Sequence, residues 1–133
     1  MLANAHGALG HVLVFADMPQ EAIPILERAI RLNPFPPCRY FHNLAWAYRI
    51  LGKYEEAIAA AKKTLRIQSD DYAAHLVLVS SYSLLGQDEE ARAQAAELLR
   101  TNPKYCVGRG KGRFKNPAVT KQLRDALRKA GLK

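Results

Sequence analysis

Apolar positions recur along the chain with helical spacing and break at regular intervals. Leu44, Ala45, Tyr48 and Leu51 fall at i, i+1, i+4 and i+7, which is the amphipathic α-helical stripe. Gly52 follows the last of them, where a helix can end in the left-handed conformation that glycine adopts at little cost. Glu55 and Glu56 then open a second helical stretch, at the end where the helix dipole favours negative charge, and its core positions run through Ala57, Ala61 and Leu65. The same order returns in Tyr82, Gly86, Asp88-Glu89-Glu90 and Ala91, with Ala95, Leu98 and Leu99 after it. A looser copy precedes both, through Leu9, Leu13, Asp17, Glu21 and Ala22. Pro34 and Pro103 stop the helices before them. No segment reads as a strand. The pattern predicts helix, turn, helix three times, over about residues 3–36, 38–71 and 72–105. A last helix is expected from Pro117, with Asn116 as its cap, Val119, Leu123, Ala126, Leu127 and Ala130 as its apolar face and Gly131 as its stop. That makes seven helices.

The two better copies read Leu44-Ala45-x-x-Tyr48-x-x-x-Gly52-x-Tyr54-Glu55-Glu56-Ala57 and Leu78-Val79-x-x-Tyr82-x-x-x-Gly86-x-Asp88-Glu89-Glu90-Ala91. This pattern resembles the tetratricopeptide repeat, a helix-turn-helix unit of about 34 residues. The resemblance implies an all-α solenoid of three repeats plus a C-terminal capping helix. It also implies a non-catalytic protein–protein interaction module that takes a peptide or partner segment in the concave groove of its first helices. Three departures stand out: Asp17 replaces the usual Gly, His6 and His75 take an aromatic slot, and the second repeat ends in Ser69 rather than Pro. By repeat phase the groove positions are Asn4 and His11, then Arg39, His42, Asn43, Trp46 and Arg49, then Leu76, Ser80 and Ser83. Arg39, Asn43 and Trp46 share one helical face. Arg can take a carboxylate bidentately, Asn can hold a peptide backbone, and Trp can anchor a partner. Packing between neighbouring helices is the other role open to Trp46. Some family members clamp a C-terminal carboxylate with basic groups. Arg39 and Asn43 match two of those positions, whereas Asn4, Gly7, Ala73 and Val77 supply none of the others.

Charge changes the picture at one end only. The 133 residues, 49% of them hydrophobic, suit one domain with a real core. Lys and Arg number 20 against 12 Asp and Glu, a formal charge of +8. Residues 104–133 hold ten of those bases and one acid, Asp125, so the tail is +9 and the body −1. A boundary near Lys104 follows, with residues 1–105 forming the repeats and 106–133 a basic linker and helix. The linker carries Arg109, Lys111 and Arg113 among glycines, in neither dinucleotide-binding nor P-loop spacing, and the helix carries Lys121, Arg124 and Arg128 at i, i+3 and i+7. Two roles are open: a helix that caps the stack with its basic face in solvent, or a surface for an anionic partner such as nucleic acid or a membrane surface. The first ranks ahead, and nucleic acid binding stands second. A narrower resemblance lies in Asn33-Pro-Phe-Pro-Pro37, Gly86-Gln-Asp-Glu-Glu-Ala-Arg92, Phe114-Lys-Asn-Pro-Ala118 and Leu127-Arg-Lys-Ala-Gly-Leu132. These are similar to the C-terminal repeat regions of bacterial class III adenylate/guanylate cyclases. That implies a regulatory part of a signalling protein, and no residue of the cyclase catalytic domain is present to carry its activity.

Catalytic and metal chemistry find little support. Cys38 and His42 are spaced i, i+4 but lack a third orienting group, so no catalytic residue is assigned. Cys38 and Cys106 fall two repeats apart, too far for a disulfide. His6 and His75 suit structural slots, and His11 and His42 are expected to face each other across the groove. No HExxH or acidic cluster accompanies them, so neither a metal nor a cofactor is expected. Met1 to Ala16 carries no charge, yet Asn4, His6 and His11 interrupt it, so no membrane span is expected. It lacks the basic start of a secretory leader, which predicts a cytoplasmic chain. Leu9, Val12, Leu13 and Phe15 point in several directions from this first helix. A terminal repeat needs a polar outer face, so a second copy of the chain, as a homo-oligomer, or an upstream repeat is expected to cover it.

Overall fold

The helices of each hairpin are joined by one recurring turn. In the computed structural model, which describes residues 2–107 and 114–133 with side chains from Ala8 onward, α1 (Leu2–Phe15) leads into α2 (Pro19–Leu32), α3 (Cys38–Ile50) into α4 (Tyr54–Ile67), and α5 (Tyr72–Leu84) into α6 (Asp88–Thr101). At the middle turn the Gly52 amide donates to the Arg49 carbonyl and the Lys53 amide to the Tyr48 carbonyl. These are the paired bonds of a Schellman stop. Gly86 and Gln87 repeat them onto Ser83 and Tyr82, and Asp17 and Met18 onto Val14 and Leu13. The stop needs a positive φ, which is +81° at Gly52, +78° at Gly86 and +65° at Asp17. The first turn is therefore the same device built with a side chain in the glycine position.

Small residues set the spacing inside each hairpin. Ala22, Ala57 and Ala91 are buried where the paired helices cross, as their phase predicts. Gly10 lies so close to Leu26 that a Cβ there would sit 2.5 Å from the leucine side chain. Each second helix then packs on the first helix of the next hairpin, α2 on α3 and α4 on α5. First helices also touch one another in order, α1 with α3 and α3 with α5. Among the described residues there are seven helices and no strand. The result is a stack of three helical hairpins, an all-α repeat solenoid.

The seventh helix, α7 (Pro117–Lys129), is capped as expected. The Asn116 carboxamide accepts from the Ala118 amide, and the buried side comprises Val119, Ala126 and Leu127 with Ala130 just beyond the helix. Its position refines the capping role. The next helix of a longer stack would lie along the last second helix, as α3 lies along α2, whereas α7 packs chiefly on α5. Leu99, expected in the core, is consequently exposed on the outer side of α6. The stack is closed over its concave side.

Candidate partner groove

The concave face is lined by α1, α3 and α5, and the chain's own C-terminal segment crosses it. The Phe114 ring lies 5.0 Å from that of Phe15 and 5.2 Å from that of Trp46, the latter pair at an interplanar angle of 60°. Behind it, the Lys115 amide donates to the Phe15 carbonyl at 2.8 Å, and Asn116 Nδ2 donates to Asp17 Oδ2 at 3.2 Å. The segment thus runs from the end of α1 past α3 to α5. Leu76, Ser80 and Ser83, the groove positions of the third repeat, are all buried.

The expected groove residues divide into those brought together and those turned away. His11 and Asn43 meet, with His11 Nδ1 3.2 Å from Asn43 Oδ1, and the His11 ring packs at a tilt against Phe15 with centroids 4.7 Å apart. Asn43 is buried, and its Nδ2 has no partner among the described residues. Trp46 is buried under Phe114, so it packs and lines the groove at once. Arg39 is exposed at the start of α3, its guanidinium 5.3 Å from the centre of the Tyr40 ring. Asn4, His6, Arg109, Lys111 and Arg113 lie outside the described side chains. Of the helix bases, Lys121 pairs with Asp125 at 2.9 Å, Arg124 is half-buried and Arg128 is exposed.

Arg49 forms the floor. Its relative exposure is 0%, and its Nε donates to Ser80 Oγ at 2.7 Å. The Ser80 hydroxyl in turn donates to the Leu76 carbonyl at 2.7 Å. The guanidinium lies 5.8 Å from the centre of the Trp46 ring, and its Nη1 and Nη2 have no hydrogen-bond partner among the described residues. Burial pulls its pKa down to about 10, which leaves it charged at neutral pH.

His42 does not face His11; this expectation is corrected. It turns toward the third repeat, where its Nδ1 donates to Asp71 Oδ2 at 3.1 Å. Asp71 also caps α5, its Oδ1 accepting from the Ala74 amide at 3.0 Å. Burial alone would raise the Asp71 carboxyl, but the hydrogen bonds from His42 and the Ala74 amide outweigh it and the pKa falls below the usual carboxylate value. Cys38 donates to Gln68 Oε1 at 3.2 Å, with Asp71 Oδ2 at 3.9 Å. Burial first, and Asp71 second, push its thiol up, so it stays protonated and a poor nucleophile. Asp71 therefore supplies a third group beside Cys38 and His42, but one that suppresses thiolate chemistry. His75 is satisfied, 3.4 Å from Gln94 Oε1 and 3.3 Å from the Ser69 carbonyl, in the structural role expected of it. Among the described residues no group of three or more His, Cys, Asp or Glu side chains forms a metal site. No helix among them is long and apolar enough to cross a membrane.

Phe114 and Asp71 take part in the observed arrangement but were not among the residues expected there. Asp71 carried a local signal, an acidic residue just before the apolar run of α5. Phe114 carried none, because its partners lie at the opposite end of the chain.

Comparison with known proteins agrees with this architecture. Two models of the tetratricopeptide repeat match residues 8–69 and 48–105, together covering most of the chain. Anaphase-promoting complex subunit 7 of Dictyostelium discoideum is 32% identical over 95 residues, 71% of this chain and 16% of that protein. The TPR repeat-containing thioredoxin TTL4 of Arabidopsis thaliana is 35% identical over 83 residues, 62% of this chain and 12% of that protein. The chain spans less than a fifth of the length of either relative. Repeats of this kind generally mediate protein–protein interaction rather than catalysis. With three hairpins in phase, a shared turn geometry and matches from residue 8 to residue 105, the chain belongs to the tetratricopeptide repeat family.

Proposed function

We propose that this chain is a non-catalytic module that binds a segment of a partner protein in the concave groove of α1, α3 and α5. One observation carries the reading: the groove already receives a segment led by an aromatic residue, Phe114, which sits on Phe15 and Trp46. A partner that offers an aromatic side chain and an extended lead-in can use the same surface in exchange for the chain's own. Placing such a module in a signalling enzyme rests on the sequence resemblance alone. Affinity capture from extracts of the source cell tests the groove. Partners held by the wild-type chain should be lost with Asn43→Ala plus Trp46→Ala, and equal capture by both would overturn the proposal.

Two further surfaces have readings of their own. The uncharged first helix leaves Leu9 49% and Val12 59% exposed, which supports its burial in a second copy of the chain. Light scattering at tens of micromolar checks this, and a strict monomer counts against it. Binding of an anionic partner through the basic tail ranks second to the groove, since Lys121 is paired with Asp125 within α7. It predicts salt-sensitive affinity for DNA or anionic vesicles that vanishes on deleting residues 108–133.

A further inference from the structure

We propose that Arg49 is a carboxylate-binding subsite at the floor of the groove, filled by an Asp or Glu side chain of a partner peptide whose aromatic residue replaces Phe114. The proposal rests on the groove reading above and adds the chemistry of the occupant.

A buried guanidinium with two unpartnered nitrogens is a costly thing to keep. The side chain is fully buried, no carboxylate among the described residues lies within ion-pair distance, and only Nε is bonded. Three of the chain's acids have partners of their own and none of these is Arg49: Asp71 bonds His42 and caps α5, Asp125 pairs with Lys121, and Glu27 accepts from the Tyr48 hydroxyl. Packing alone does not call for arginine here. The equivalent position of the first repeat is Val14, fully buried, which fills the same place without charge. Ser83, the equivalent position of the third repeat, adds a buried hydroxyl that also lacks a partner among the described residues. The ligand these groups fit is a planar monoanion. Two parallel N–H donors match the two oxygens of a carboxylate, and a phosphate dianion would bring more charge than one guanidinium balances.

Access requires that the cover can leave. Trp46 is the shared contact, with the guanidinium 5.8 Å from its ring centre and the Phe114 ring packed against it at a steep angle. The lead-in to α7 is tied down by the Lys115 amide and by the exposed Asn116–Asp17 bond, and neither involves Arg49. Lifting Phe114 therefore uncovers the Trp46 ring that the guanidinium also approaches, and breaks no hydrogen bond that Arg49 makes. An incoming peptide with an aromatic residue and a nearby acid restores the ring contact and supplies the anion that the chain's own segment lacks.

The test selects random twelve-residue peptides displayed on phage against the full-length chain carrying Phe114→Ala, and in parallel against Phe114→Ala/Arg49→Met. Selected peptides are then synthesised with amidated C termini and titrated using the fluorescence of Trp46, the single tryptophan. The expected result is enrichment of peptides pairing an aromatic residue with Asp or Glu. Changing that acid to its amide should weaken binding by about tenfold or more on the chain that keeps Arg49, and hardly at all on the chain carrying Arg49→Met. Arg49→Lys, which keeps the charge but not the fork, should fall between. Peptides that bind both chains equally, or tolerate the acid-to-amide change, overturn the subsite while leaving the groove reading intact. Failure of any peptide to bind either chain overturns both. Loss of helical structure in Arg49→Met also overturns the subsite, because it would make the arginine a packing residue.

Discussion

Phe114 meets Trp46 edge to face, with ring centroids 5.2 Å apart, and so joins the C-terminal segment to the middle of the concave groove. This contact and that with Phe15 fix where the lead-in to α7 begins. Phe114→Ala removes a half-buried ring from an aromatic cluster and should cost about 2 kcal/mol. The loss is expected to be local. Hydrogen exchange should show the amides of α7 losing protection while those of α3 and α4 keep theirs. A uniform loss across all helices would show that the segment is part of the core rather than a cover upon it.

Arg49 sits in the groove at a net cost to folding. Replacing it with methionine loses the bond to Ser80, worth about 1 kcal/mol, and the contact with the Trp46 face, worth about 0.5–1 kcal/mol. It also removes a charge whose burial without a counterion costs several kcal/mol. The balance favours the variant, so Arg49→Met should raise the stability of the chain by about 1 kcal/mol or more. Calorimetric melting checks the sign. A lower midpoint would mean that the guanidinium is compensated in the folded chain.

The repeats were legible because their signals are local. Gly52, Gly86, Ala57 and Ala91 mark turn and crossing within one unit, and repetition in phase makes each copy vouch for the others. The last helix was legible for the same reason, through Asn116, Pro117 and Gly131. Its seat was not, since Phe114 finds Phe15 and Trp46 only through the folded stack. Burial of Arg49 was hidden for a related cause: its phase puts it on the groove, but its bond to Ser80 forms only when α3 and α5 come together in the stack. His42 was misplaced because its partner, Asp71, lies across the next turn, a contact that spacing on one helix does not encode.

The His42–Asp71 pair makes stability depend on acid. The Asp71 pKa is lowered in the folded chain, so its contribution is present above the unfolded carboxylate value near 4 and is lost as pH falls through the folded value. Asp71→Asn keeps a good helix cap while removing the negative charge beside His42. Denaturant midpoints for the wild type should therefore fall more steeply than those of the variant below about pH 4, and the two curves should converge in strong acid. Parallel curves across that range would show that the carboxylate contributes nothing beyond its cap.

Asp17 occupies a left-handed position that glycine fills in the other two repeats, at φ +65°. Aspartate tolerates this conformation better than most residues, but a side chain there still carries strain of about 1 kcal/mol. Its carboxylate recovers part of that through the exposed bond from Asn116, worth a few tenths at the surface. Asp17→Gly relieves the strain and loses the bond, for an expected net gain of about 0.5 kcal/mol. Asp17→Ala keeps the strain, loses the bond and the tolerance that a short polar side chain confers, and should cost about 1 kcal/mol. Urea midpoints should therefore rank Gly above Asp above Ala. If Ala matched Asp, the turn would not be strained, and the departure from glycine in the first repeat would have no energetic consequence.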